Sequence, residues 1–311
     1  MRQSARGGAG VTELLQIAPE VQQALHESRP VVALETTLIA HGFPPRVGVE
    51  VGLASEAAVS LEGAVAATVG VIDGAVVIGL DKKQIERFGE AGADARKAGP
   101  RDLAACAARR ELGATTVGGT LRACALAGIR FLGTGGIGGV HRGFAERPDV
   151  SADLAELART QTLVVGAGAK SLLDVPATAE VLETLGVPVV GYRTDELPLF
   201  YAAAGGPPVS ARVESPEEAA ELARAHWELG GAGLLLGNAP EHGVDVEPLL
   251  EQALRTAAAE NISGQAVTPF VLSFLHERSG GRTLEVNRDL VAANAALAAQ
   301  VAVAFSTISP R

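Results

Sequence analysis

Lys170 stands just past the apolar, glycine-rich run VVGAG (Val164–Gly168), where a strand reads as ending. A lysine in that place admits three uses: a cap reaching solvent, a clamp on a phosphate, or a nucleophile that forms a Schiff base. The clamp must stay charged and the nucleophile must shed its proton, so one lysine cannot serve both. Other reactive side chains fall at similar places. Glu35 ends VVALE, GTGGIGGVHRG (Gly133–Gly143) delivers His141 and Arg142, and Asp149, Ser151 and Asp153 open DVSADLAEL. Lys97, in DARKAGPRDL, sits ahead of a helix pattern instead. Each also has a plain reading: Glu35 as a solvated strand end, Asp149 and Ser151 as helix caps, His141 as a loop histidine. Together they support a lysine Schiff base beside a carboxylate acting on a phosphorylated sugar, which is aldolase-like chemistry.

Gly133, Gly135 and Gly138 match the GxGxxG spacing of dinucleotide sites. That motif needs a helix starting inside it, followed by a strand that ends in an acid. Here the run continues through VHRGFAERPDV, and Pro148 blocks a helix. The glycines read better as a loop whose N–H groups approach an anion.

The elements that would position these residues alternate. Strands are expected at Val31–Glu35, twice within Ala64–Leu80, and at Thr115–Gly119, Arg130–Gly136, Thr162–Gly168, Pro188–Tyr192 and Gly233–Asn238. Amphipathic stretches such as GVEVGLASEAAVSLEG and ATAEVLETLG lie between them. Ser215-Pro216-Glu217-Glu218 reads as a capping box with proline at N1, and Asp81 opens DKKQIERFG in a similar way. Near-continuous apolar strands alternating with helices give an α/β protein whose largely parallel sheet is covered on both faces. Ligands of such sheets gather at the carboxyl ends of the strands. Ala202–Arg212 reads as a surface loop, residues 1–13 as a disordered tail, and residues 14–311 as one domain.

Composition narrows the partners. The chain is 47% hydrophobic and 4% aromatic, with a net charge of -10 and no basic block. This argues against a nucleic-acid backbone as partner. Cys106 and Cys124 stand alone, so neither a disulfide scaffold nor a zinc site is expected. LVAANAALAAQVAVAF is uncharged but alanine-rich and carries Asn294 and Gln300, which fits a buried helix at a subunit contact rather than a membrane span. A cytoplasmic protein is the expectation.

The segments VVALETTLIAHGFP, ATVGVIDGAVVIGL, KAGPRDL, GATTVGGT, GTGGIGGVHRG, DVSADL, GAGAKSLLD and GVPVVGYRTDELPLF occur in this order. They resemble the pseudouridine-5'-phosphate glycosidase family, which includes indigoidine synthase A-like proteins, over about Ala18 to Val303. The resemblance implies a three-layer α/β/α sandwich on a mixed, largely parallel sheet, a homotrimer, and a manganese ion (Mn2+) in the site. It implies reversible cleavage of pseudouridine 5'-phosphate to uracil and ribose 5-phosphate. By resemblance, Glu35 in ALETT is the proton donor, Lys170 in GAKS the nucleophile, and Lys97 in RKAGPRD a phosphate-binding lysine. Asp149 in DVSAD corresponds to the metal ligand. Ser151, Ala152, Asp153 and Val117 correspond to substrate contacts, and His141 and Asn294 line the site. Thr36 stands where many members carry serine, which keeps the hydroxyl.

A C–C glycosidic bond offers no leaving oxygen to protonate, so the paired carboxylates of ordinary glycosidases do not suffice. The ring must first open, which needs an acid, and an amine can then form an iminium at C1'. The rival readings are a Schiff-base sugar-phosphate aldolase on a (β/α)8 barrel and a sugar-phosphate- or nucleotide-binding regulator without turnover.

Overall fold

The computed structural model describes residues 13–146, 148–262 and 267–308. The expected tail lies outside the described residues except for Glu13, in the turn that leads into β1.

The described residues form thirteen strands: β1 (Leu15–Ile17), β2 (Val31–Glu35), β3 (Val65–Ile72), β4 (Ala75–Ile78), β5 (Arg96–Ala98), β6 (Gly113–Thr115), β7 (Phe131–Gly133), β8 (Val140–His141), β9 (Leu163–Gly166), β10 (Leu173–Asp174), β11 (Val189–Tyr192), β12 (Ala211–Val213) and β13 (Leu234–Asn238). Eleven of them form one sheet with the main order β1-β4-β3-β2-β7-β9-β13-β11-β12, while β8 and β10 pair separately. From β3 through β2, β7, β9, β13 and β11 to β12 every pairing is parallel, and β4 is antiparallel to β3. The sheet is therefore mixed and largely parallel.

The sheet branches at β3. Its first half pairs with β2, ending at Val69↔Glu35, and antiparallel β6 takes over the same edge at Gly70↔Ala114. Strand β5 adds parallel to β6, with Lys97 opposite Ala114. The place where β2 stops is thus the place where the β5–β6 pair begins.

The helices are α1 (Pro19–His26), α2 (Pro45–Leu61), α3 (Lys82–Ala91), α4 (Leu103–Arg109), α5 (Val117–Ala127), α6 (Ala152–Leu157), α7 (Val175–Thr184), α8 (Pro216–Glu228), α9 (Glu247–Ala259), α10 (Val267–Arg278) and α11 (Arg282–Thr307). Strand alternation divides the core between two faces. Val32 and Leu34 of β2, with Phe131 and Val165, pack with Val59 of α2, Trp227 of α8 and Ala295 and Ala298 of α11. Val31 and Ala33, with Leu132 and Val164, pack with Leu121 of α5, Leu154 of α6 and Leu182 of α7. The result is the expected three-layer arrangement.

Four expectations change. Thr115–Gly119 is not a strand: β6 ends at Thr115 and Thr116 caps α5, its hydroxyl accepting from the Gly119 N–H at 3.2 Å. Lys97 is itself on a strand, β5, a three-residue element recognisable only through its partner β6. The α8 start is not a reciprocal box. Ser215 Oγ accepts from the Glu218 N–H, but the Glu218 carboxylate turns to the Glu214 N–H. Asp81 and Gln84 do form the full box on α3. Helix α11 is long and apolar enough to cross a membrane, yet it packs on the sheet of its own chain, with Ala295, Ala298, Ala299 and Ala302 all buried. Its burial therefore no longer points to a subunit contact.

Candidate active site

The site forms where three strand ends and the β5–β6 branch meet. Glu35, the last residue of β2, follows Val31 and Ala33 onto the α5–α6 side and is 3% exposed. Thr134, the residue after β7, donates its hydroxyl hydrogen bond to Glu35 Oε1. Burial raises the Glu35 pKa. Lys170, the Thr134 bond and Lys97 act against that rise, while the charge of Asp153 adds to it. Burial thus favours the protonated form of the acid beneath the site's floor.

Lys170 is carried by the turn after β9. Backbone bonds join this turn to the glycine loop after β7: Ala167 N–H to Gly135 O at 2.9 Å, Ile137 N–H to Gly168 O at 3.0 Å and Lys170 N–H to Ile137 O at 3.1 Å. Gly168 has φ +76°, and a Cβ there would lie 1.9 Å from Pro198 O, so no other residue fits. The loop holding the partner of the acid and the turn holding the lysine are one hydrogen-bonded unit.

Lys97 reaches the site from β5. Arg96 donates to Glu111 at 2.8 Å and to Asp102 at 3.0 Å, and Asp102 also accepts the Gly99 N–H at 3.1 Å, which fixes the turn after Lys97. Burial lowers the Lys97 pKa, Lys170 lowers it further, and Asp153, Glu35 and Asp149 resist. The two lysines, Glu35 and the aspartates therefore share one electrostatic neighbourhood.

A threonine lattice closes the seam between β2 and β6. Thr36 Oγ1 and Thr115 Oγ1 both donate to Val69 O, at 2.8 and 2.7 Å, and the Thr115 N–H donates to Thr36 Oγ1 at 2.8 Å. Thr37 Oγ1 donates to Thr115 O at 2.6 Å.

Lys97, Lys170, His141, Asp149 and the start of α6 at Ser151–Asp153 line a cleft of about 350 Å³. Ser151 is the cap of α6, its hydroxyl accepting from the Asp153 N–H at 3.2 Å, and Asp149 lies outside the helix. Asp153 is 5% exposed. Its carboxylate accepts from the Gly118 N–H at 2.7 Å and the Gly138 N–H at 2.9 Å. The anion that the glycine loop approaches is thus the protein's own. A Cβ on Gly138 would sit 2.3 Å from Ser151 Oγ, so that approach needs glycine.

His141 Nε2 lies 4.0 Å from Asp149 Oδ2. Burial holds the His141 pKa down, helped by Lys97 and Lys170 and opposed by Asp149. No group of three or more His, Cys, Asp or Glu side chains among the described residues could hold a metal. Asp149, 44% exposed and open to the cleft, fits a hard divalent ion that keeps most of its waters. A closed protein cage does not fit.

Two expected contacts do not line the cleft. Val117 is 1% exposed and packs in the core, while its neighbour Thr116 faces the cleft. Asn294 is fully buried: its amide donates to Thr134 O at 2.8 Å, and its oxygen accepts from Asn238 at 3.0 Å. It holds the backbone beside Glu35's partner. Sequence reasoning missed Thr134, Asp102 and the cleft-facing Arg101. Thr134 lies inside the quoted GTGG run, but nothing local links it to Glu35, 99 residues away.

Fold and site together define an α/β protein with a buried acid beneath a cleft lined by two lysines, at the carboxyl edge of the sheet. The chain belongs to the family described as indigoidine synthase A like protein, whose profile matches residues 20–304. It is 50% identical to a pseudouridine-5'-phosphate glycosidase of Streptomyces griseus subsp. griseus, over 93% of this chain and 91% of the relative. It is 49% identical to one of Herpetosiphon aurantiacus, over 95% of this chain and 99% of the relative. Among solved structures it matches the prealnumycin C-glycosynthase AlnA in complex with ribulose 5-phosphate, with a TM-score of 0.86 and 40% identity over 95% and 98% of the two chains.

Proposed function

We propose that the chain cleaves the C–C glycosidic bond of pseudouridine 5'-phosphate, reversibly, giving uracil and ribose 5-phosphate through a Schiff base on Lys170. The observation that carries this reading is a buried Glu35, its pKa raised by burial, beneath the cleft that Lys170, Lys97 and Asp149 line. It is supported by 43–50% identity to proteins named for that activity.

The steps follow from the chemistry. Glu35 protonates the ribose ring oxygen as the Lys170 amine attacks C1', so the C1'–O bond breaks and a C1'–N bond forms. The nitrogen passes a proton back to Glu35, and its freed lone pair forms the iminium as the C1'–C5 bond breaks. Those bonding electrons stay on uracil C5, which takes up a proton. Water hydrolyses the iminium, frees ribose 5-phosphate and restores the amine. Lys97 is the partner for the 5'-phosphate, and Ser151 and Ala152 present the start of α6 to the substrate. Asp149 would hold a divalent metal, which we assign as manganese. When bound, it supplies positive charge to orient substrate oxygens. We propose a homotrimer on family resemblance alone.

Uracil released from pseudouridine 5'-phosphate with Mn²⁺ present, read by chromatography, tests the activity. Borohydride with ribose 5-phosphate should add a reduced sugar-phosphate mass to Lys170, and Lys170→Ala should abolish both adduct and uracil. An adduct on another lysine, or turnover by that variant, overturns the mechanism. A retro-aldol product from deoxyribose 5-phosphate would favour an aldolase.

A further inference from the structure

The segment YRTDELPLF, ending at Phe200, has no role in the chemistry above. Phe200 has φ +66°, in the left-handed region that bulky residues avoid. Such strain persists only where the surroundings impose it, and it clusters at functional sites. Glycine would adopt this backbone freely, so the phenylalanine ring is what the strain retains there.

The ring sits between the two loops of the site. Phe200 is 2% exposed and stacks edge-on against Tyr201, with centroids 4.8 Å apart. A Cβ on Gly136, in the glycine loop, would meet ring carbons at 2.8 and 3.0 Å. The backbone on either side is tied to the Lys170 turn. The Phe200 N–H donates to Ala167 O at 2.9 Å, Ser171 Oγ donates to Leu199 O at 2.9 Å, and Gly168 bridges Leu199 in antiparallel fashion. Phe200 therefore touches the glycine loop with its ring and the lysine turn with its backbone. Those are the two segments that carry Thr134, the partner of Glu35, and Lys170.

We propose that Phe200 is a positioning residue that sets the distance and angle of Lys170 relative to Glu35. The ring acts as a spacer against Gly136, and the left-handed backbone aims the N–H at Ala167. This rests on Lys170 and Glu35 being the reacting groups. The Phe200 backbone bond is to Ala167 and its ring stands against Gly136 and Tyr201, so the residue acts on the two reacting groups through their loops. Its loss should therefore slow the chemical step more than it weakens binding.

The test compares Phe200→Gly, which removes ring and strain together, with Phe200→Leu, which keeps apolar bulk. A misplacement of about 1 Å costs on the order of 100-fold in rate. Phe200→Gly should lower kcat for uracil release by about that factor with KM nearly unchanged, and should lower Lys170 adduct yield in parallel. Phe200→Leu should fall between it and wild type. Deuterium exchange should quicken at the Ile137 and Lys170 amides while the rest of the sheet stays protected. Wild-type kcat in Phe200→Gly, a loss confined to KM, or unchanged exchange at those amides would overturn the proposal. If Phe200→Gly does not fold, the same readouts on Phe200→Leu decide. If wild type releases no uracil, the proposed function falls, and the exchange comparison alone decides the role of Phe200.

Discussion

Asp153 separates two readings of one residue. Family resemblance makes it a substrate contact, whereas its geometry makes it a pin between two loops. Both carboxylate oxygens are occupied, by the Gly118 N–H at 2.7 Å and the Gly138 N–H at 2.9 Å, and the residue is 5% exposed. In Asp153→Ala, two buried N–H groups lose their acceptor. Each unsatisfied donor costs about 1–3 kcal/mol, or roughly 2–6 kcal/mol in all. For a long chain the melting temperature falls by about 2 °C per kcal/mol, which predicts a drop on the order of 4–12 °C. Asp153→Asn keeps one acceptor and turns an NH2 toward the other donor, so about 1–3 kcal/mol is expected. The loss also moves the charges: Asp153 helps to raise the Glu35 pKa and supports the charged form of Lys97. The alkaline limb of activity should shift to lower pH, and phosphate affinity should weaken. Calorimetry on the three proteins, with pH profiles of uracil release, measures all of this. A mutant that melts with wild type and differs only in KM would refute the pin and restore the substrate contact.

Glu35→Gln should abolish uracil release yet melt above wild type at pH 8. The folded pKa is raised by burial above an unfolded value of about 4.3, so stability present below that value is lost as pH rises through the folded pKa. The two melting curves should converge near pH 4, and a wild type that does not lose stability relative to the variant across that span contradicts the burial argument. Lys97→Ala should mainly impair the phosphorylated substrate; a persisting strong preference for phosphorylated over unphosphorylated pseudouridine would remove Lys97 from the phosphate site. Asp149→Ala should abolish the metal response of activity at unchanged melting, because the side chain is 44% exposed and caps no helix. Intact metal dependence would unseat it. Thr36→Ser should match wild type within about 1 kcal/mol, while Thr36→Val, which strands the Thr115 N–H, should cost about 1–3 kcal/mol in a denaturant titration. Equal stability of the two would show the lattice to be idle.

The strands were legible where they are wholly apolar and buried. VVALE and the β9 run are such cases, because a sheet covered on both faces writes itself as continuous hydrophobic sequence. Lys170 and Glu35 were legible as anomalies at the ends of those runs. What local pattern hid was pairing at long range. Three residues of β5 gain strand character only from β6, and Thr116-Val117-Gly118-Gly119 has β-branched residues that read as strand until Thr116 is seen to cap a helix. The glycine loop was legible as a place where an N–H approaches an anion, though not which anion. The Gly138 N–H does approach a charge, and the charge is Asp153, which no spacing rule could place there.

The branch at β3 explains why an acid and a lysine from distant segments become neighbours. An unbranched parallel sheet would continue its edge past Glu35 with another βα unit and cover the strand end. Here β2 stops at Glu35↔Val69, and β6 takes the same edge one residue later with reversed direction. That reversal lets β5 run parallel to β6 and deliver Lys97 over the end of β2. Val69 O, at the junction, is the acceptor for both Thr36 and Thr115, so the seam is bonded at the point where it changes strands. The acid lies below this seam in the dry interior, and the lysine lies above it in the cleft. One short change of partner along a single strand thus gives Glu35 the burial that raises its pKa and gives Lys97 the access that a phosphate needs.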